Sequence, residues 1–503
     1  MEAESKQLLS GNEAVGLAAL RCGVALGAGY PGTPSTEILE TFSRLGGKAE
    51  WSPNEKVAAE VALGAAFSNA RALVTMKHVG LNVASDVLFT AAYSGVSGGL
   101  VFAVADDPGM ASSQNEQDTR RYAVAAAVPM LEPSDSQEAY DFTFTAFEIS
   151  GRWGIPVILR LSTRVSHSCA IAACGRKALP PLEPAFRRAP AERVMIPAHA
   201  RPAHARLRAK LDEIRDWNEK EGPNQTFAGR GRPALITSGV CFAHCREAAP
   251  DAPLLKLGLT HPLPVKTIAG FVKKHGDCLV IEENDPFLAT EIRGEGIAVR
   301  GKESRFRIGE LDVDRVKKII AGDNTPDPAP PRGAPPSLCP GCPHRAVFAV
   351  LKEMDCLVSG DIGCYTLAVL PPLSAMDTMI DMGAGITVGL GMRHVLPEKE
   401  ARRVVSVIGD STFIHSGITG IVEMVYNPPA TGHVVVILDN GTTAMTGLQE
   451  HPGTGRKLDH RKTNRVAIED PRRGAGVREV RVLDLPGAAG PFRDALKKAL
   501  ASN

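Results

Sequence analysis

The stretch GDSTFIHSGITGIVEMVYNPPATGHVVVILDNGTTA, residues 409–444, determines how this part of the chain must fold. Two segments have the pattern of buried strands. They are RRVVSVIG, which leads into this stretch, and HVVVILDN near its end. HSGITGIVEMVYN between them has apolar residues at helical spacing, so the pattern predicts a β-α-β unit. A right-handed crossover makes the two strands parallel, and Asp410 and Asn440 are therefore expected at the same carboxyl edge of one sheet.

Two oxygen-bearing side chains at one sheet edge indicate a metal site. Mg²⁺ prefers a few protein oxygens and completes its octahedron with phosphate oxygens and water. A magnesium diphosphate resting against the amino end of the helix would satisfy both preferences. The alternative is an ordinary pair of turns, in which aspartate and glycine are common.

Length and composition limit the classes of protein that need to be considered. A chain of 503 residues is long enough for three or four domains. Its 57 basic and 56 acidic residues nearly balance and only 5% are aromatic, which indicates neither a nucleic-acid nor a membrane partner. The amino terminus lacks a signal pattern and no apolar run approaches the roughly 18 residues of a membrane span, so we expect a cytoplasmic protein.

Proline and charge mark the joints of the chain. Three stretches of alternating strand and helix patterns predict an α/β protein with three parallel-sheet domains. The expected segments are a first α/β block, a linker with one charged surface helix, a smaller α/β block, a proline-rich tether and the block containing GDS. Their boundaries are 1–165, 166–230, 231–320, 321–337 and 338–503.

The first block contains two helix starts of interest. In GAGYPGTPSTEI, Thr33 can cap a helix with Pro34 at its first position. In WSPNEKVAAEVALGA, Glu55 is followed by small apolar residues that predict a tightly packed helix face, and Gly64 is expected to permit a close approach. Glu60 is the rival carboxylate on the same helix.

The chain has GDS, then a gap of 27 residues, then DN. This spacing resembles the motif of the thiamine diphosphate-dependent enzymes. The resemblance implies that Asp410, the Asn440 side chain and the main-chain oxygen of Thr442 bind Mg²⁺. It also places the cofactor beside Gly383, Gly409 and Ser411, the last at a position where many members have glycine.

Further motifs make the resemblance specific. The chain is similar, from near residue 8 to about 500, to the alpha subunit of indolepyruvate ferredoxin oxidoreductase, on the strength of YPGTPSTEI, VTMKHVGLNVASD, LCPGCPHR, SGDIGCYT and LDNGTTAMTGLQEHPG. That family oxidatively decarboxylates arylpyruvates to aryl-acetyl-CoA thioesters, passes electrons to ferredoxin and has a smaller beta subunit. The implied fold has two thiamine diphosphate-binding domains and, as the middle block, a domain of the transketolase carboxy-terminal type.

The family pattern also assigns roles in the first block. A glutamate followed by alanine three and seven positions later and glycine nine positions later matches Glu55 and not Glu60, so Glu55 is expected to hydrogen-bond the aminopyrimidine N1′. Thr33 is expected at the substrate side of the thiazolium, and His415 to contact substrate or intermediate. Because Glu55 and Asp410 lie in different domains, we expect an interdomain cleft, and a homodimer core as in thiamine enzymes generally.

The cysteines leave one cofactor open. Cys339, Cys342 and Cys364 have the spacing of iron-sulfur or zinc ligands, and relatives add a fourth cysteine to bind a 4Fe-4S cluster. No cysteine follows Cys364, and Cys356 reads as a core thiol. The two four-cysteine runs of the family's ferredoxin-like domain do not occur in these residues. Three explanations stay open: another subunit supplies the clusters, the chemistry is not linked to ferredoxin, or the sequence is truncated.

Three functions follow from these patterns. The first is the thiamine-binding subunit of an arylpyruvate oxidoreductase. The second is a non-oxidative 2-oxoacid decarboxylase, which would release an aldehyde without coenzyme A or an acceptor. The third is a non-catalytic subunit that binds a partner, against which the intact Glu55, Asp410 and Asn440 argue.

Overall fold

The computed structural model describes residues 6–328, 336–484 and 489–502. The chain forms two compact units, Met1–Asp327 and Pro328–Asn503. The predicted tether, 321–337, falls partly outside the described residues. None of the described helices is long and apolar enough to cross a membrane.

The first unit contains three sheets. Its strands are β1 (Lys6–Ser10), β2 (Val24–Gly29), β3 (Ala49–Trp51), β4 (Arg71–Lys77), β5 (Gly99–Asp106), β6 (Met130–Leu131), β7 (Val157–Ser162), β8 (Cys169–Ala173), β9 (Gln225–Phe227), β10 (Ala234–Ser238), β11 (Leu254–Leu257), β12 (Leu259–His261) and β13 (Cys278–Ile281). A seven-stranded sheet has the order β12-β6-β7-β5-β4-β2-β3 and a four-stranded sheet the order β13-β10-β11-β9, while β1 and β8 form an antiparallel pair.

The seven-stranded sheet is parallel except where β12 joins β6. All eight residues of β5 are buried, as expected of a parallel strand covered on both faces. Because β12 comes from the segment between β11 and β13, the middle block adds a strand to the sheet of the first block. The four-stranded sheet is parallel except where β9 joins β11.

Helices cover these sheets and connect their strands. They are α1 (Gly11–Arg21), α2 (Thr36–Arg44), α3 (Glu55–Phe67), α4 (His78–Ser94), α5 (Thr119–Ala126), α6 (Ser136–Trp153), α7 (Thr163–His167), α8 (Pro190–Arg193), α9 (Pro197–Glu221), α10 (Cys241–Ala248), α11 (Val265–His275), α12 (Leu288–Gly294) and α13 (Val313–Ala321). The charged surface helix expected in the linker is α9, which buries Leu207, Leu211 and Ile214 on one side.

Buried ion pairs connect the seven-stranded sheet to the four-stranded one. Arg120 on α5 is 1% exposed and lies 2.7 Å from Glu282, which directly follows β13. The next residue along, Glu283, is also buried, and burial raises its pKa to about 7 although the charge of Arg160 lowers it. Separating a buried arginine from its two carboxylate partners costs free energy, because it leaves unpaired charges in the interior. These contacts therefore fix how the two sheets meet.

The second unit is built on a three-stranded parallel sheet. Its strands are β14 (Leu357–Ser359), β15 (Val404–Gly409) and β16 (Val434–Leu438), in that order. Its helices are α14 (His344–Glu353), α15 (Ala384–Val395), α16 (Glu398–Ala401), α17 (Asp410–Thr412), α18 (Ile418–Tyr426), α19 (Glu469–Gly474) and α20 (Ala489–Ala501). The predicted β-α-β unit is confirmed by the parallel pairing of β15 with β16.

Candidate cofactor-binding site

Asp410 lies at the carboxyl end of β15, at the centre of the edge predicted to bind a metal diphosphate. Its side chain is 4% exposed. The carboxylate oxygen Oδ2 accepts a hydrogen bond from the main-chain N–H of Gly441 at 2.8 Å and lies 3.2 Å from Nε2 of His451. The Ser411 hydroxyl lies 2.8 Å from that of Thr443. The turns that follow β15 and β16 are therefore tied together, as their shared sheet edge predicted.

The two aspartates at this edge have opposite electrostatic settings. Burial alone would raise the pKa of Asp410, but the hydrogen bond from His451 and other donors hold it below its ordinary value. Burial raises the pKa of Asp439, and the nearby negative charge of Asp410 raises it further. Asp410 is thus the carboxyl group that stays ionised, as a metal ligand must be.

The turn after β16 carries the other two predicted metal ligands. The Asn440 side-chain oxygen accepts the N–H of Thr442 at 3.1 Å, and the Thr442 hydroxyl donates to the main-chain oxygen of Gln449 at 3.2 Å. Gly441 between them has φ +67°, a left-handed conformation that favours glycine. No described residue lies within 4 Å of a Cβ at Gly441, so within the chain it is the backbone conformation that favours glycine here.

A third strand end completes the edge of the second unit. Asp361 follows β14, is fully buried, and accepts N–H bonds from Gly383 at 3.0 Å and Gly385 at 2.8 Å. Burial raises its pKa to about 7 although those donors lower it. Gly383 has φ +101°, and a Cβ there would lie 2.6 Å from Cβ of Ser416. Sequence reasoning missed Asp361, although its position after a strand in GDIGCYT was an available signal.

The helix after GDS is continuous but irregular. The π-helical turn Phe413–Gly417 separates α17 from α18. His415 in this turn is 4% exposed, and its Nδ1 lies 2.7 Å from the hydroxyl of Ser416. Because Ser416 also packs against Gly383, the structure brings these two predicted site residues to one place. π-Helical turns often occur at functional sites.

Residues near the cysteines in the sequence pack against the end of β15, where Asp410 begins the next helix. The Tyr365 hydroxyl accepts the N–H of Gly409 at 3.0 Å and donates to the Ile362 oxygen. The ring of His344 stands perpendicular to that of Tyr365, with centroids 6.1 Å apart. Burial lowers the pKa of His344, and the negative charge of Asp410 partly offsets this decrease.

The three predicted cluster ligands lie in one neighbourhood. Burial raises the pKa of Cys364, and the charges of Cys339 and Cys342 raise it further. Within 6–328, 336–484 and 489–502, however, no group of three or more His, Cys, Asp or Glu side chains is arranged to hold a metal ion. That finding concerns sites for a single metal ion, and a 4Fe-4S cluster at the three cysteines stays a prediction. Cys356 is packed against core side chains, and burial raises its pKa to about 11, as expected of a structural thiol.

The first unit has its own polar edge, at the carboxyl ends of β2, β3 and β4. Thr33 follows β2, Glu55 follows β3, and His78 follows β4. Glu55 is 5% exposed at the start of α3, and a Cβ at Gly80 would lie 2.6 Å from its Oε1. Burial lowers the pKa of Lys77 next to His78, while the charges of Asp107 and Glu55 raise it.

Three local expectations in this unit have clear outcomes. Thr33 does not cap a helix, because α2 begins at Thr36 with Ser35 before it; that prediction is wrong. Gly64 is exposed and nothing described lies within 4 Å of a Cβ there, so its predicted close approach is also wrong, and Gly80 supplies the close contact instead. Glu60 lies on the surface in an ion pair with Lys56, whereas its rival Glu55 is buried.

Comparison with known proteins agrees with this geometry. Residues 17–200 match the family described as pyruvate flavodoxin/ferredoxin oxidoreductase, thiamine diphosphate-binding, and residues 361–503 match the thiamine pyrophosphate enzyme, C-terminal TPP binding domain. A protein from Archaeoglobus fulgidus, named indolepyruvate oxidoreductase subunit IorA, is 41% identical over 98% of this chain and 84% of its own length. Its namesake in Pyrococcus horikoshii is 38% identical over 98% of this chain and 83% of its own.

A solved structure resembles the fold. The 2-oxoglutarate:ferredoxin oxidoreductase from Magnetococcus marinus superposes with a TM-score of 0.52 at 18% identity, covering 64% of this chain and 66% of its own. Fold, thiamine diphosphate-binding domains and relatives together define a subunit of a thiamine-dependent 2-oxoacid oxidoreductase. Within that class, the chain belongs to the family of the indolepyruvate oxidoreductase subunit IorA.

Proposed function

We propose that this chain is the thiamine diphosphate-binding catalytic subunit of an enzyme that oxidatively decarboxylates arylpyruvates of the indolepyruvate type. The products are carbon dioxide, an aryl-acetyl-CoA thioester, a proton and electrons, and the electrons pass to ferredoxin or a partner subunit. The observation that carries the proposal is Asp410, buried at the end of β15 and joined to the turn after β16 within a matched thiamine diphosphate-binding domain.

The second unit supplies the diphosphate end of the site. Asp410, the Asn440 side chain and the main-chain oxygen of Thr442 are the proposed Mg²⁺ ligands, and the donor set of carboxylate, amide and carbonyl oxygens suits this hard cation. Gly383, Gly409 and Ser411 are proposed to border the cofactor, with the start of α17 beside the diphosphate. When bound, thiamine diphosphate supplies the nucleophilic carbon and the electron sink for decarboxylation of a 2-oxoacid.

The first unit is proposed to act on the other end of the cofactor. Glu55 would hydrogen-bond the ring nitrogen N1′ and share a proton there, a role favoured by its burial against Gly80. Thr33 would lie on the substrate side, and its position ahead of α2 leaves it outside the helix. In the second unit, His415 is proposed to contact substrate.

The enzyme is expected to need more than this chain. The relatives are named as subunits, which supports a partner subunit, and we propose the smaller beta-type subunit as that partner. We also propose a homodimer core with two cofactor sites. No electron-transfer step is assigned to the cysteines of this chain.

A product assay tests the proposal. The chain, purified with its smaller subunit, is incubated with indolepyruvate, thiamine diphosphate, Mg²⁺, coenzyme A and a one-electron viologen dye. We expect reduced dye and aryl-acetyl-CoA to form in step, and both to disappear when coenzyme A is left out. An aldehyde formed without coenzyme A or dye would identify a non-oxidative decarboxylase, and 2-oxoglutarate used in preference would exclude arylpyruvates as the substrate class.

A further inference from the structure

His451 contacts the proposed metal ligand from a distant part of the sequence. Its side chain is 3% exposed, and its Nε2 lies 3.2 Å from Oδ2 of Asp410. The other ring nitrogen, Nδ1, faces the main-chain N–H of Gly453 at 3.1 Å. A main-chain N–H can only donate, so Nδ1 is the acceptor and the ring hydrogen of the neutral imidazole resides on Nε2. His451 therefore donates to Asp410.

The ring is held rigidly by its own loop. A Cβ at Gly453 would lie 2.8 Å from Cε1 of His451, so only glycine leaves room for the ring in this position. The main-chain oxygen of His451 accepts two further hydrogen bonds from Thr454, from its N–H and its hydroxyl, both at 2.9 Å. Earlier in the loop, the N–H of Thr443 donates to the oxygen of Gln449 at 2.9 Å. The loop thus closes on itself between the turn after β16 and His451.

Two donors consequently fix one carboxylate oxygen. Oδ2 of Asp410 receives the N–H of Gly441 from one side of the loop and Nε2–H of His451 from the other. Hydrogen bonds to a carboxylate that binds a metal orient it and maintain its charge, and their loss typically weakens metal binding. The loop carrying the proposed ligand Thr442 also carries this donor, so both reach the site together.

We infer that His451 is a positioning residue for the metal end of the site, holding the Asp410 carboxylate in the orientation that binds Mg²⁺. The inference rests on the proposed role of Asp410 as a metal ligand. The role assigned to His451 is to act through the Nε2–H···Oδ2 bond and not as a ligand of the metal.

The test is the Mg²⁺ requirement for thiamine diphosphate binding, measured by calorimetry on the full chain with its smaller subunit over a series of Mg²⁺ concentrations. His451→Phe retains a ring of similar size without a donor and is expected to need about 10- to 100-fold more Mg²⁺ for half-maximal binding. His451→Gln retains an amide N–H and is expected to return to within about threefold of the wild type. Should the Phe variant melt early without ligand, His451→Asn, whose amide is too short to reach Asp410, replaces it.

His433 provides a matched control. This histidine of the same unit has its Nε2 2.8 Å from the Ser406 hydroxyl, so His433→Gln is expected to leave the Mg²⁺ requirement unchanged. A donor-free variant with the wild-type Mg²⁺ requirement would overturn the inference while leaving the proposed function intact. Equal losses in the donor-free and Gln variants would also overturn it, since packing alone would then be responsible. Absence of Mg²⁺-dependent binding in the wild type would remove both the proposed function and this inference.

Discussion

Glu55 and Asp410 are carboxyl groups in contrasting surroundings, and the contrast matches their proposed tasks. Asp410 accepts hydrogen bonds from Gly441 and His451, which stabilise the ionised form that a cation needs. Glu55 is packed against the backbone of Gly80 in a helix of small apolar residues. That setting suits a carboxyl group that shares a proton with a ring nitrogen.

Replacing Glu55 separates its proposed role from helix packing. We expect Glu55→Gln to lower kcat by about 100-fold or more, because the amide cannot exchange a proton with N1′. The affinity for thiamine diphosphate should fall much less than turnover. Steady-state kinetics and calorimetry measure the two effects, with the exposed Glu60→Gln as the control. Normal turnover in Glu55→Gln would exclude this glutamate as the proton partner.

Glu283 gives a pH-dependent stability prediction. Burial raises its pKa from the usual 4.5 to about 7, so folding favours the protonated form. Its contribution to stability is fully present below about pH 4.5 and is lost as the pH rises through 7. We therefore expect Glu283→Gln to melt above the wild type at pH 8, with a smaller difference at pH 5.5. Thermal unfolding at both values is the measurement, with the exposed Glu295→Gln as control. The same difference in melting temperature between Glu283→Gln and the wild type at both pH values would contradict a raised pKa for Glu283.

The sequence could predict site residues only where they follow a strand or begin a helix. Asp410 and Asn440 were placed at one edge in this way, because the ends of parallel strands share one edge of a sheet. His451 was missed because it lies in the loop after β16, 41 positions from Asp410, and no periodicity reports a contact of this kind. The contact of Gly80 with Glu55 was missed for a similar reason, since Gly80 meets Glu55 from another helix.

At the scale of elements, the start of α15 and the π-helical turn before α18 shape the second unit's edge. Gly383 precedes α15 with φ +101° and packs on Ser416 of that turn. Strand β12 shows what patterns miss at this scale. A three-residue strand placed antiparallel at the rim of another block's sheet carries too few residues for an alternation to be read.

Two glycines near α15 make a matched pair for stability. Gly383→Ala places a Cβ 2.6 Å from the Ser416 Cβ in a left-handed conformation, and we expect it to lower the free energy of unfolding by about 2 kcal/mol or more. Gly391 lies within α15 with nothing within 4 Å of a Cβ, so Gly391→Ala should raise that free energy by up to about 1 kcal/mol. Urea unfolding measures both. Equal effects at the two positions would show that the Gly383 conformation is not required.

At the scale of the whole molecule, each unit carries a polar sheet edge and a family match for thiamine diphosphate binding. The α/β class and the parallel sheets followed from the sequence because buried strands alternate with helical spacing. The division at Asp327 falls within the predicted tether, 321–337. The sequence did not predict that β12 and the buried pair of Arg120 with Glu282 join the first and middle blocks into one unit. Such contacts depend on residues more than a hundred positions apart.

Calorimetric titration of thiamine diphosphate, with and without Mg²⁺, tests the central claim most directly. The wild type should bind the cofactor only when Mg²⁺ is present. Asp410→Ala should lose about 3 kcal/mol or more of binding free energy, a factor of about 100 in affinity. Asp459→Ala, which removes an exposed aspartate of the same unit, should bind like the wild type. An Asp410→Ala protein that binds thiamine diphosphate and Mg²⁺ with unchanged affinity would contradict the account.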